Sequence, residues 1–305
     1  MLKNSRSILS LLLSVAPFLP FLLHAQEGRR FVNIENSEQV SEGKVEIIYE
    51  EERYDPVSDR RETKYLMLQA DNGYSYQRDY GHYRLDSAVM NIPYKLTRQQ
   101  LGALRAESGF SSYFPRFIWD KIMNRYAEID FAMGSFIYFE EREQIPWTLR
   151  SDSVRVILGR SCYGAEADFR GRKWTVWYSA EVPVAAGPYK LDGLPGAVLA
   201  ARSEDGHFRY TAIAIRNAKM PIILPLMDRE EKRYFRGTRE EWYRAISRHH
   251  WSFKQSLTSS GMAPRDQNGE PVEFENRVLP YFPIELDWMS PEMREKWLSG
   301  KNPLE

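Results

Sequence analysis

The chain of 305 residues contains one cysteine, Cys162, so no intrachain disulfide can form and stability must come from burial in any redox compartment. Charge of one sign is also lacking: 42 Lys+Arg stand against 42 Asp+Glu, with no acidic or basic tail, which removes the footprint of a nucleic-acid binder or of an anionic-membrane binder. The sequence holds no G-x-S-x-G elbow, no P-loop and no HExxH helix, so no catalytic residue, metal site or cofactor is assigned from a motif. Internal repeats and low-complexity linkers are absent as well, which leaves one domain as the economical reading of the chain after residue 25.

The one long apolar run lies at the N-terminus. Lys3 and Arg6 precede apolar residues 8–23, broken by Pro17 and Pro20, and small Ala25 is followed by polar Gln26, Glu27 and Gly28. That is the basic, apolar and small-residue order of a secretory signal peptide over 1–25, and the run is too short and proline-broken for a membrane anchor. No cysteine follows it to carry a lipid. With Lys3 and Arg6 removed, acidic residues outnumber basic ones by two over 26–305, and no transmembrane segment remains. The expected location is the periplasm, with secretion or surface display as alternatives.

The composition, 43% hydrophobic and 13% aromatic, suits a folded, strand-rich protein. Residues 45–53, 62–70 and 74–80 read as three strands, the last pair joined through Asn72-Gly73, where positive φ is expected. Extended segments return at 135–140, 154–158, 161–169, 173–180, 197–201 and 208–215, with turns at Arg170-Gly171 and Asp205-Gly206. Thr97 with Gln100, Asp228 with Glu231 and Thr238 with Glu241 have capping-box spacing. The last opens a helix to about Leu257 within a helical region over about 228–260, with Trp242, Ile246, His249, His250 and Phe253 on one face. A short helix starts at Ser290-Pro291. The expected fold is α+β and mainly β: a strongly curved antiparallel sheet, a bowl or incomplete barrel, with a few capping helices.

The densest pattern runs from Gly159 to Ala201. It reads Gly159-Arg160-Ser161-Cys162-Tyr163, Phe169-Arg170-Gly171-Arg172-Lys173-Trp174, Trp177-Tyr178-Ser179, Glu181-Val182-Pro183, Gly187-Pro188-Tyr189-Lys190-Leu191 and Gly193-Leu194-Pro195-Gly196. This order closely resembles the GLPGLI family of exported proteins of Gram-negative bacteria. Ala197-Val198 stand where that family has Leu-Ile, and Tyr189 where Trp is more typical. Phe136-Ile137-Tyr138-Phe139-Glu140 before Trp147, and Pro283-Ile284-Glu285, resemble further family landmarks. The family has no established activity. It is distantly similar to the bowl-like N-terminal domain of a peptide N-glycanase, which implies a curved sheet with a concave face and carries over no catalytic residue.

From the residues themselves, Pro195 and Gly196 fit the central positions of a type II turn. Gly187, Pro188, Gly193, Pro195 and Gly196 are either architectural turns or places where a ligand approaches the backbone closely. Trp177, Tyr178, Glu181, Tyr189 and Lys190 are the candidate ligand-binding residues, with Trp174, Val176 and Tyr178 on one face of their strand and Thr175, Trp177 and Ser179 on the other. Cys162 reads as a small buried hydrophobe. His249 and His250 diverge by about 100° on a helix and make a poor metal pair, and His82 and His207 are expected exposed beside turns. Tyr74, Tyr76, Tyr80 and Tyr83 are either a carbohydrate platform or ordinary sheet packing.

The functional expectation is a non-enzymatic envelope protein binding a small ligand, a peptide or an envelope protein in its concavity. One alternative is a periplasmic hydrolase of peptide or glycan, using Glu181 with Glu140 or Asp168 as a carboxylate pair. The other is an assembly factor for an outer-membrane complex, marked by a flat exposed apolar patch.

Overall fold

A computed structural model describes residues 37–57, 59–90, 92, 96–109, 115–130, 136–225, 234–259 and 283–305. The leader 1–25 and the Asp228/Glu231 spacing lie outside these residues, as do the side chains of His250 and Phe253.

The strands are β1 (Ser37–Ser41), β2 (Val45–Asp55), β3 (Arg60–Ala70), β4 (Tyr74–Asp79), β5 (Arg116–Asp120), β6 (Arg125–Asp130), β7 (Phe136–Glu141), β8 (Thr148–Ile157), β9 (Arg160–Phe169), β10 (Arg172–Ser179), β11 (Ala197–Ser203), β12 (Phe208–Asn217) and β13 (Ile222–Pro225). The helices are α1 (Tyr80–Met90), α2 (Arg98–Ser108), α3 (Arg239–Ser259) and α4 (Pro291–Leu298). Eleven strands form one antiparallel sheet in the order β7-β6-β5-β4-β3-β2-β12-β11-β10-β9-β8, and β1 pairs β13 in a small second sheet. The large sheet is two meanders, β2 to β7 and β8 to β12, joined where β12 lies along β2.

The sheet is curved and not closed. Register shifts between Arg150 and Val154, Trp177 and Tyr178, and Ala212 and Ala214 place bulges in one half of it, and bulges sharpen twist and bend. Its two edges, β7 and β8, are consecutive in the chain, and the short segment 142–147 bridges them. The architecture is thus the expected mainly-β incomplete barrel with few helices.

Local chemistry explains most of the elements. Phe169 pairs Arg172 across Arg170-Gly171, both at positive φ, a two-residue hairpin turn matched to strand twist. Thr97 and Gln100 make the full capping box, Thr238 and Glu241 exchange the same bonds, and Ser290 caps α4 with Pro291 in its first turn. Among the described residues no helix is long and apolar enough to cross a membrane.

Four expectations are corrected. Tyr80 does not extend β4: the Asp79 carboxylate accepts from the His82 N–H and caps α1 there. The turn at Asn72-Gly73 uses no positive φ, because the Asp71 carboxylate accepts from both the Gly73 and Tyr74 N–H groups, an Asx turn. Pro195-Gly196 is not a type II turn. Gly196 N–H bonds Leu194 C=O, closing a three-residue turn centred on Pro195, while Ala197 N–H goes to Val182 C=O. His82 is buried on α1, 5% exposed, rather than solvated. Burial, with Arg116, Arg78 and Arg105 adding to it, pulls its pKa down to about 3 and holds the ring neutral.

Candidate functional site

Residues 180–196, between β10 and β11, place the site. Prolines do much of the folding here: Pro183 and Pro195 each sit at the centre of a three-residue turn, where their fixed φ is the one required. Ala186 bridges Ala197, and Val198 N–H bonds Ala186 C=O, so the segment lies back along the start of β11. At its far point Leu191 N–H bonds Pro188 C=O across Tyr189 and Lys190, and Tyr189 takes φ +57. A bulky residue is rarely left-handed. Its backbone is held by Gln77 Oε1, which accepts from Tyr189 N–H at 2.7 Å, and its ring packs edge-on to Phe117 and stacks on Trp174.

That turn drives Lys190 into the interior. Its side chain has no solvent exposure, and its amine lies 2.6 Å from Glu140, 2.8 Å from Glu285 and 3.4 Å from Glu128. The carboxylates come from β7, from the segment before α4 and from β6. Arg170 reaches Glu140 at 3.1 Å, Arg239 on α3 holds Glu285 and, at 2.6 Å, Asp287, and Tyr189 Oη donates to Glu285. Tyr243 on α3 donates to Glu128 at 2.7 Å. Phe136-to-Glu140, the Tyr189-Lys190 turn and Pro283-Ile284-Glu285, scattered in the chain, therefore converge on one amine.

The charges follow from burial and pairing. Burial opposes the Lys190 cation, but Glu285, Glu140 and Glu128 more than offset it and raise its pKa. Burial would raise Glu285, yet Lys190, Arg170 and Arg239 together hold it well below the usual carboxylate range. Glu128 is different: burial pushes it up to about 7, against the pull of Lys190. The folded state therefore keeps the Glu128 proton up to about pH 7, whereas an ordinary glutamate releases it near 4.5. Between those values the folded state binds more protons, so this group's contribution is full below pH 4.5 and lost as pH rises through 7. Glu128→Gln mimics the protonated form and keeps an acceptor for Tyr243. Chemical denaturation from pH 4.5 to 8 should show the wild type losing roughly 3 kcal/mol more than this variant across the window; equal slopes would mean that Glu128 is ionised throughout.

A second node adjoins the first. Asp192 accepts from Arg142 Nε at 3.0 Å and Nη2 at 2.7 Å and from Tyr126 Oη at 2.5 Å, and its C=O accepts from the Trp147 indole at 2.7 Å. Arg142 and Trp147 belong to the segment bridging the sheet's two edges, so Asp192 clamps that closure. Between the nodes is a small cavity lined by Gln77, Phe117, Trp119, Tyr126 and Lys190, with about 10 Å³ open to a solvent centre, room for about one water. The space between the two nodes is filled by the protein's own side chains.

The five candidate ligand-binding residues are not gathered in one cleft. Tyr189 and Lys190 lie in the buried ionic cluster. Tyr178, 7% exposed, faces Tyr163. Trp177, 3% exposed, lies on the other face of β10 beneath Arg155 and Arg202. Glu181 is exposed and accepts from the Ser161 N–H at 2.9 Å. Glu140 belongs to the Lys190 cluster and Asp168 is exposed on β9, so the contacts put Glu181 and Glu140 in separate networks. The tyrosine group is also split: Tyr76 is buried in β4, and Tyr80 stacks on Tyr83 within α1, whose hydroxyl donates to buried Glu46.

Gly187 and Gly196 face backbone rather than open space. Cys162 is buried, as expected, and burial raises its thiol. His207 is half-buried rather than solvated, set between Asp205, Arg172 and the edge of Trp297. His249 is exposed, and among the described residues no group of three or more His, Cys, Asp or Glu could hold a metal. Arg155, Arg202 and Arg239 are missed by sequence reading, because nothing local marks an arginine whose partner is remote.

No family model matches the chain, and no curated protein matches it. Among solved structures the chain is similar to PNGF-II in two crystal forms, at 13% and 12% identity and TM-score 0.46, over 68% of this chain and 34% and 33% of that one. The chain thus spans about a third of the length of PNGF-II. It is also similar to a LolA superfamily protein from Nitrosomonas europaea, at 9% identity and TM-score 0.26, over 65% of this chain and 94% of that one. These are distant structural similarities.

Proposed function

We propose that this chain is an exported GLPGLI-type envelope protein, non-enzymatic, with a single domain after its leader, which binds a protein partner at the β8–β9 edge of the sheet rather than a small ligand in the concavity. One observation carries the choice. The cavity beside Lys190 and Asp192 has room for about one water, whereas β8 leaves Leu149, Val154 and Val156 exposed at 61%, 56% and 73%, with Tyr163 of β9 at 45%.

By register Leu149 lies opposite Ala165 and Val154 opposite Tyr163, on the face that becomes the buried core one strand further in. Among the described residues β8 pairs only β9, so its outer N–H and C=O groups are free to accept an added strand. Long apolar edge strands are a liability unless something covers them. The partner that fits is an extended segment with apolar residues on the Val154 side and acidic residues over Arg155 and Arg160. The signal peptide and the periplasmic location belong to this reading.

The test is site-specific photo-crosslinking in the native envelope. A photoreactive residue at Val156 is expected to give a discrete adduct with one protein, and the same residue at Ile213, exposed in the middle of the sheet on β12, none. Adducts of equal yield at both positions, or none at Val156, would remove the edge as the binding surface.

A further inference from the structure

The outer face of the same half-sheet carries an arrangement that stability does not explain. Arg202 on β11 lies directly opposite Arg209 on β12, a like-charge cross-strand pair that costs free energy. Arg155, on β8, sets its guanidinium 3.6 Å from the centre of the Trp177 ring, and Arg202 sets its own 5.6 Å from that centre. Arg209 is balanced by Glu52 at 3.7 Å, while among the described residues neither Arg155 nor Arg202 forms an ion pair with a carboxylate. Their mutual repulsion is felt: burial, then Arg202 and Arg209, lower the Arg155 pKa.

The platform beneath them is fixed. The Trp177 indole N–H donates to Ser153 Oγ at 3.0 Å. Ser153 reaches it because it lies in the β8 bulge, directly over Gly164, where any Cβ would come within 2.7 Å of the Ser153 Cβ. Trp177 is consequently locked, and the two guanidinium groups on it lose little freedom when they bind. Stacked guanidinium planes offer paired N–H donors suited to oxyanions, and two unneutralised cations match the charge of a phosphomonoester near neutral pH, about −1.5 to −2.

We propose that Arg155 and Arg202, held on Trp177 and supported by Arg209, form a binding site for a phosphomonoester group. The same chemistry is offered by a free phosphate ester and by a phosphomonoester lipid headgroup. The site shares Arg155 with the β8 edge proposed above, but Arg202 and Trp177 lie inside the sheet, so loss of phosphate binding in Arg202→Gln is read separately from strand capture.

The experiment titrates inorganic phosphate into the full-length mature chain at constant ionic strength, following the Trp177 indole N–H resonance, assigned by Trp177→Phe. A saturable shift is expected in the wild type and in Arg150→Gln, whose arginine is already engaged by Asp152 and Glu166. Arg202→Gln and Arg155→Gln should weaken binding about tenfold or more, with no fall in melting temperature, because each relieves repulsion. Co-sedimentation with phosphatidate vesicles, and not with phosphatidylcholine vesicles, would support the lipid source. Phosphate binding without co-sedimentation would support the free ester. No shift, a shift unchanged in Arg202→Gln, a melting temperature lowered in Arg202→Gln, or an equal response to chloride would overturn the proposal. So would a response to an acidic peptide but not to phosphate.

Discussion

Lys190→Met is expected to destabilise the protein by about 3–5 kcal/mol at pH 7, the range for a buried ion pair broken from one side. The substitution keeps an unbranched apolar stem and removes only the amine. Glu140 keeps Arg170 and Glu285 keeps Arg239, but among the described residues Glu128 is left with the Tyr243 hydroxyl alone. The loss should therefore shrink as pH falls below 7, where the folded chain protonates Glu128 and no unpaired charge is left buried. It should also shrink at pH 7 in the double variant Lys190→Met/Glu128→Gln. A double-mutant cycle by urea denaturation gives the coupling, and the expected thermal shift of the single variant is on the order of 10 °C downward. A loss below about 1 kcal/mol, with no pH dependence, would mean that solvent reaches the amine and that the cluster does not hold the filled concavity together.

That cluster also marks where sequence reading stops. The strands at 45–53, 62–70 and 161–169 were legible because apolar content, Asp-Gly or Arg-Gly turns and capping spacing are local signals, and local chemistry decides them. β5 and β6 were not legible, because residues 116–130 alternate poorly: Tyr126, Ala127, Glu128 and Ile129 are all buried, so the sheet covers both faces and no period of two survives. Glu140, Lys190 and Glu285 lie within segments marked by the family resemblance, yet nothing in their spacing joins them. Their meeting depends on Tyr189 at positive φ, a conformation no rule assigns to tyrosine. Trp177 was singled out for its aromatic strand. Its arginine neighbours come from strands on either side of β10, a matter of register and not of sequence.

The second large effect concerns the two glycines for which the residues alone left two readings, architecture or close approach of a ligand. A Cβ on Gly196 would stand 2.1 Å from the Ser179 C=O oxygen, with φ at +135, and a Cβ on Gly187 would stand 2.0 Å from the Leu191 C=O oxygen. Both obstacles are backbone, which cannot swing aside as a side chain does. Gly206 and Gly159, at φ +74 and +77, would place a Cβ in open space. The four positions separate two costs. Gly206→Ala and Gly159→Ala bear only the left-handed penalty, about 1 kcal/mol. Gly196→Ala, at φ +135, and Gly187→Ala, which is not at positive φ, must instead displace the segment that carries Tyr189 and Lys190, so about 4 kcal/mol or more is expected, with loss of soluble folded protein. Denaturation midpoints, with near-ultraviolet circular dichroism for the aromatic cluster around Trp174, read both. If Gly196→Ala cost no more than Gly206→Ala, the 180–196 segment would be loose enough to move, and the architectural reading of these glycines would fail. If the gap appears, Gly187 and Gly196 serve the turn that buries Lys190, and any ligand must be sought on the exposed edge and outer face of the sheet.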